Sequence, residues 1–159
     1  IGASGVTYKI TKTPAKASKY ISVNKNGKVT LKKKAPAGTY VITVSKAGNI
    51  NYEDAKTAVT IIVKKAGQKI TAKNSAKKVK VSAVKKKAVS YTIGAKAKGS
   101  LSYQISSTPN NAGKYISVTK KGKVTLKKGA PKGTYVIRIT AKETSVYKKA
   151  TKNVKVTVK

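Results

Sequence analysis

The chain contains no cysteine, histidine, methionine, tryptophan or phenylalanine, and only three acidic residues, Glu53, Asp54 and Glu143. Each absence excludes something. Without histidine there is no imidazole general base, and without cysteine there is no thiolate nucleophile and no Cys/His zinc site. Calcium asks for several carboxylates, and three scattered ones do not supply them. A paired-carboxylate glycosidase site needs two facing acids, and nothing in the spacing of these three provides that. No apolar run approaches the ~18 residues of a membrane span. No signal peptide is visible, so any targeting segment has been removed or lies outside these residues. The expectation is a non-catalytic module with no cofactor and no metal.

What is present is lysine, small polar residues and β-formers. The 159 residues carry 37 Lys+Arg against 3 Asp+Glu, a formal net charge of +34. Valine, isoleucine, threonine and tyrosine dominate the larger side chains, while leucine occurs only at Leu31, Leu101 and Leu126. That balance favours strands over helices. Extreme charge also fits a disordered polycation, but regular apolar alternation argues for a folded chain.

A long internal repeat organises the sequence. Tyr20-Ile21-Ser22-Val23 recurs as Tyr115-Ile116-Ser117-Val118, and Gly38-Thr39-Tyr40-Val41-Ile42 recurs as Gly133-Thr134-Tyr135-Val136-Ile137. Lys28-Val29-Thr30-Leu31-Lys32-Lys33 recurs as Lys123-Val124-Thr125-Leu126-Lys127-Lys128. The offset is 95 positions throughout, from Val6/Leu101 to Lys64/Lys159, with identity at roughly half the positions. Such a unit is too long for a solenoid repeat and suits a β-sandwich. Residues 65–95 have no counterpart before Ile1. The expected organisation is therefore a partial sandwich over 1–64 and a complete one over 65–159.

Alternation places the strands. Val6, Tyr8 and Ile10 share a face, as do Leu101, Tyr103 and Ile105. Tyr40, Ile42 and Val44 correspond to Tyr135, Ile137 and Ile139, with Arg138 on the outward side. Using immunoglobulin letters by analogy, residues 69–82 give strand A, 88–95 B, 101–107 C, 115–118 D, 123–128 E, 134–142 F and 153–158 G. The first copy holds C to G at 6–11, 20–23, 28–33, 39–46 and 58–64. Asn26-Gly27 predicts a hairpin turn, because both residues tolerate positive φ.

These motifs together resemble the bacterial immunoglobulin-like repeats found in tandem in secreted and surface proteins of Gram-positive bacteria. The resemblance rests on Tyr-Ile-Ser-Val, Gly-Lys-Val-Thr-Leu-Lys, Gly-Thr-Tyr-Val-Ile and a closing Val/Lys alternation. It implies an all-β fold of two tandem immunoglobulin-like sandwiches, the first lacking its first two strands. It also implies a stalk, spacer or adhesive role at the cell surface. Tyr40 and Tyr135 then occupy a tyrosine corner, and Ile42 and Ile137 the position of the strand F cysteine.

Three sets of residues are candidates for function. The lysine runs Lys32-Lys33-Lys34, Lys85-Lys86-Lys87 and Lys127-Lys128 form a polyanion-binding surface, or a plain solubilising and edge-protecting one. Teichoic acid and acidic glycans are the expected partners, with non-specific nucleic-acid binding at low salt. Base readout is not expected, since Arg138 is the only arginine. Tyr20, Tyr52, Tyr115 and Tyr147 lie off the clearest apolar faces and form glycan-stacking platforms, or half-buried loop clamps. Finally, a first copy missing two strands exposes an edge. Either it reflects a fragment boundary, or residues 69–95 of one chain complete a neighbour's first copy, giving a homo-oligomer by strand exchange.

Overall fold

A computed structural model of the chain describes residues 5–159. The chain divides into two compact units, the first ending at Ala66 and the second running Gly67–Lys159. Residues 1–4, which open the expected first copy, lie outside the described residues.

Unit 1 contains β1 (Val6–Lys12), β2 (Ile21–Val23), β3 (Val29–Leu31), β4 (Gly38–Lys46) and β5 (Ala55–Val63). They form a three-stranded sheet, β1-β4-β5, and a hairpin, β2-β3. Unit 2 begins with β6 (Thr71–Ala72), β7 (Ala76–Val79), helix α1 (Val81–Lys86), β8 (Val89–Thr92) and β9 (Ala95–Lys96). It continues with β10 (Leu101–Ser107), β11 (Ile116–Val118), β12 (Lys123–Leu126), β13 (Gly133–Ala141) and β14 (Ala150–Val158). Its main sheets are β10-β13-β14-β7 and β11-β12-β8, with β6 pairing β9. In immunoglobulin letters these are C-F-G with a parallel strand added beyond G, over D-E-B. The fold is all-β and immunoglobulin-like, and the described residues of unit 1 do not include counterparts of the strands that come first in unit 2.

The ladders follow from the inward rows. In β13, Tyr135, Ile137, Ile139 and Ala141 are buried while Arg138 faces water. In β14, Val154, Val156 and Val158 are buried and Lys155 is exposed. The two strands pair antiparallel over nine residues, Gly133↔Val158 to Ala141↔Ala150. Sixteen buried side chains from both sheets and from α1 form one core. Period-two burial is what a sheet with one dry face requires.

Three expectations need correction. Residues 69–82 do not make one strand. They make β6 and β7, and then turn into α1. Val81 and Val84 are three apart, so both face the core on a helical turn, and Val84 is fully buried. Strand G is longer than expected in both copies, beginning at Ala55 and Ala150. The backbone ladder continues there after the apolar alternation has stopped. At Asn26-Gly27 only the glycine has positive φ, at 76°. The turn is held instead by Asn24, whose Oδ1 accepts hydrogen bonds from the N–H groups of Asn26 (3.0 Å) and Lys28 (2.9 Å). Glycine is required at this place because a Cβ would strike the Tyr8 ring, just as one at Gly122 would strike the Tyr103 ring.

The tyrosine corner is present in both units. Tyr40 and Tyr135 are fully buried. Tyr40 Oη donates to the Pro36 carbonyl at 2.8 Å, and Tyr135 Oη to the Pro131 carbonyl at 3.0 Å. Each bond ties strand F to the loop before it. Ile42 and Ile137 are buried two residues on, where packing does the work of a disulfide.

Two predictions follow from this geometry. Lys34 has φ 66°, and its counterpart in unit 2 is Gly129, φ 81°. A left-handed conformation costs a non-glycine residue about 1–2 kcal/mol. Glycine returns part of that through unfolded-state entropy. Lys34→Gly is therefore expected to stabilise unit 1 by about 1 kcal/mol, and Gly129→Lys to destabilise unit 2 by a similar amount, in denaturant titrations. The second concerns pH. Burial, with Tyr115 nearby, raises the Tyr135 pKa above the ordinary value of about 10. The folded value exceeds the unfolded one. The hydroxyl's contribution is thus complete below about pH 10 and is lost as pH rises from there toward the folded value. Tyr135→Phe should cost about 1 kcal/mol at neutral pH and should reduce the loss of stability as pH rises above about 10. An unchanged alkaline profile in the variant refutes the assignment.

Candidate polyanion-binding surface

Every lysine of the three runs is exposed: Lys32–Lys34, Lys85–Lys87 and Lys127–Lys128. The fold treats them differently. In unit 2 the Gly129 N–H donates to the Val84 carbonyl at 2.9 Å. That bond holds the segment carrying Lys127 and Lys128 against the end of α1, which carries Lys85 and Lys86. In unit 1 no α-helix stands beside the run Lys32–Lys34 among the described residues, and the Lys32 N–H donates to the Tyr20 carbonyl at 2.8 Å, at the end of the short 3-10 helix Ser18–Tyr20.

Between β7 and α1 lies an open groove of about 500 Å³. Val79, Ala83 and Val89 contribute its apolar lining. Lys77, Lys78, Lys80, Lys86 and Lys87 also line it, and no acidic residue does. Five lysines bordering one open groove, with no acid among its lining residues, raise the positive potential there. The groove exists because the chain reverses from strand to helix at Lys80, bringing Lys77–Lys78 opposite Lys86–Lys87. Lys77, Lys78 and Lys80 were not singled out in the sequence. Their signal was a second basic cluster, Lys-Lys-Val-Lys, ending five residues before Lys85.

The acids do not form a site. Asp54 Oδ1 accepts a 2.6 Å hydrogen bond from the Gly48 N–H, ordering the loop before β5. Among the described residues, no group of three or more His, Cys, Asp or Glu is placed to hold a metal ion. No helix among them is long and apolar enough to cross a membrane.

The four candidate stacking tyrosines separate into three situations. Tyr20 and Tyr115 pack against the cores of their units. The neighbouring ammonium lies over each ring, Lys19 at 5.4 Å and Lys114 at 5.3 Å from the centroid, within cation–π range. They are loop clamps. Tyr52 is 75% exposed. Tyr147 is half-buried and lines a second groove in unit 2, of about 470 Å³, together with Lys69, Lys96 and Lys98. One wall of that groove is built by Gln68, which sequence reasoning missed. Its Nε2 donates to the carbonyls of Lys142 (3.0 Å) and Lys148 (2.8 Å). Its Oε1 accepts from the N–H groups of Lys98 (3.2 Å) and Gly99 (2.9 Å).

The two kinds of tyrosine should respond differently to truncation. Tyr115→Ala is expected to cost about 2–3 kcal/mol of stability. Tyr52→Ala should stay within about 0.5 kcal/mol. Chemical denaturation of the two variants checks this, and a neutral Tyr115→Ala would return that residue to the exposed class.

No protein-family model matches the chain, and no curated protein matches it. Solved structures do. The EC1-3 fragment of mouse protocadherin-24 is 17% identical with a TM-score of 0.42, over 98% of this chain and 55% of that one. The immunoglobulin domains 1–4 of Sidekick-1 are 12% identical with a TM-score of 0.44, over 98% and 40%. A SusE-like surface-located polysaccharide-binding protein from the heparin utilisation locus of Bacteroides thetaiotaomicron is 14% identical with a TM-score of 0.37, over 98% and 29%. The chain spans about half the length of the protocadherin-24 EC1-3 fragment and of the Drosophila N-cadherin EC1-3 fragment, 55% of each.

Proposed function

We propose that this is a non-catalytic, strongly basic structural and adhesive module of a secreted or surface protein, of the Gram-positive immunoglobulin-like repeat type. It spaces other parts of its parent and adheres to anionic polymers of the envelope or of a host, teichoic acid and acidic glycans being the chemistry that fits. The observation that carries this reading is the acid-free groove with Lys77, Lys78, Lys80, Lys86 and Lys87 along it, in a chain of net charge +34. A repeating polyphosphate or polysulfate laid along five lysines releases counterions. Its affinity then falls steeply with salt. Nucleic acid meets the same field at low salt, but lysine supplies point charges and not the bidentate forks that read bases.

A second reading is favoured by the Tyr147 groove. A ring flanked by Lys69, Lys96 and Lys98 offers an acidic sugar one apolar face and three cations. Salt separates the two readings, because at about 0.5 M the screening length is only ~4 Å. Stacking survives that salt and pure charge attraction does not.

The test is binding to purified wall teichoic acid across a salt series. Replacing Lys77, Lys78, Lys80, Lys86 and Lys87 with Gln should lower affinity about 10-fold or more at low salt and flatten the salt slope. Replacing the exposed Lys9, Lys12, Lys16, Lys25 and Lys28 of unit 1 removes the same charge and should cost less than about threefold. Equal losses in both variants reject the groove, leaving a diffuse field. Binding that persists at about 0.5 M salt and depends on Tyr147 transfers the function to the second groove.

A further inference from the structure

The one arginine of the chain stands in the middle of an outward row on the four-stranded sheet of unit 2. β13 is an interior strand of that sheet, between β10 and β14. Arg138 faces Gln104 across one ladder and Asn153 across the other. All three are exposed, while Ile137, Ile139 and Val154 beside them are buried in the core. Adjacent strands lie about 4.8 Å apart, so the three positions span about 10 Å in a line across the sheet. The next row on the same side carries only hydroxyls, from Ser102, Thr140 and Thr151.

This row departs from the habits of the rest of the chain. Of 37 basic residues, Arg138 alone is not lysine. Asparagine suits turns and is depleted in strands. The other seven asparagines lie outside β1–β14, whereas Asn153 sits inside β14. The other glutamine, Gln68, spends its amide on four backbone groups. Among the described residues, the side chains of Gln104, Arg138 and Asn153 make no hydrogen bond or ion pair with the protein. The internal repeat supplies a comparison. In unit 1 the row in the same register is Lys9, Thr43 and Ala58. A need common to the two sheets would place similar side chains in both, so the planar row answers to something other than the fold.

We infer that this row binds the uronic-acid residues of an acidic polysaccharide. A guanidinium presents parallel N–H donors in a fork that meets a planar carboxylate with two bonds, where an ammonium is a point charge. The flanking amides each carry donors and an acceptor. Sugar hydroxyls also donate and accept, so a glycan laid along the row satisfies all three side chains and reaches the hydroxyls of the next row. A phosphate polymer presents mainly acceptors and leaves the two amide carbonyls without partners. It suits the lysine groove and not this row. Charge agrees with the assignment. Lys155 stands exposed on the same side, and the only acid of unit 2, Glu143, comes after the end of β13. The row is separate from both grooves. It gives the proposed adhesion to acidic glycans a carboxylate-selective site, and rests on that reading for its setting alone.

The test is titration of the full chain with a short oligogalacturonate in about 0.5 M salt, where the screening length is only ~4 Å and diffuse attraction fades. Arg138→Lys keeps the net charge and should weaken binding about tenfold or more. Gln104→Ala and Asn153→Ala should each weaken it about three- to tenfold. Thr43→Ala, in the corresponding row of unit 1, should leave it unchanged. Reducing the probe's carboxyl groups to alcohols should abolish binding. Teichoic acid should bind the wild-type and Arg138→Lys chains equally at low salt, so failure of this site and failure of the groove are told apart. The inference is overturned by no binding at 0.5 M salt, by an Arg138→Lys chain that binds as tightly as the wild type, or by equal binding of the reduced probe. It is overturned too if the loss in Arg138→Lys comes with faster amide exchange across β13, which makes the row a structural pairing.

Discussion

Self-repulsion governs this molecule. Thirty-four net positive charges oppose any compact state, and the disulfide of antibody sandwiches is absent because there is no cysteine. Cohesion therefore rests on the inward rows of the paired strands β13 and β14, and of β4 and β5. Tyr135, Ile137 and Ile139 pack with Val154, Val156 and Val158 in one dry layer. Lys155 stands on the opposite side of the pleat and Lys46 at a strand end, while Lys152 shares the inward row of β14 and is only partly buried. The tyrosine–proline bonds then fasten the loop where strand F begins, supplying at each unit's corner a fixed point that lysine could not.

The same division of labour explains what could be read from the residues. Strands C to G of unit 2 were legible because Val, Ile and Tyr alternate with Lys, Ser and Thr, whereas the single strand B expected over 88–95 divides into β8 and β9 in different sheets. The tyrosine corner was legible because Gly-Thr-Tyr-Val-Ile occurs twice. The helix was not. Val81-Ser82-Ala83-Val84 alternates no worse as a strand, and only the need to cross between sheets makes its three-residue spacing decisive. The five-lysine groove was hidden for the same reason, since Lys77 and Lys87 become neighbours only once that turn exists. Tyr20 and Tyr115 were ambiguous because an amphipathic ring off the strand face reads alike whether it clamps a loop or awaits a sugar. Gln68 carries no pattern at all, and its role depends on carbonyls more than seventy residues away.

Residues 67–95 thus do two things in unit 2. They complete the sandwich, and they carry the densest strip of cations that borders an apolar floor. Among the described residues, unit 1 follows the same C-to-G plan without the closing strands or the groove. The unequal charge of the two parts, +10 over residues 1–64 and +24 over 65–159, follows in part from this one segment. The lysine-lined groove and the closing strands are coupled in sequence, so a change in the segment alters both.

The parallel pairing of β7 with β14 has a mechanical meaning. β7 lies near the beginning of unit 2 and β14 at its end. Tension applied through the two ends pulls these strands past each other along their length. Their ladder bonds are then loaded together in shear and must fail as a set, instead of opening one by one. Among the described residues of unit 1, β4 lies between β1 and β5. Under a stretching force, unit 2 therefore holds its length until the β7–β14 ladder fails as a whole.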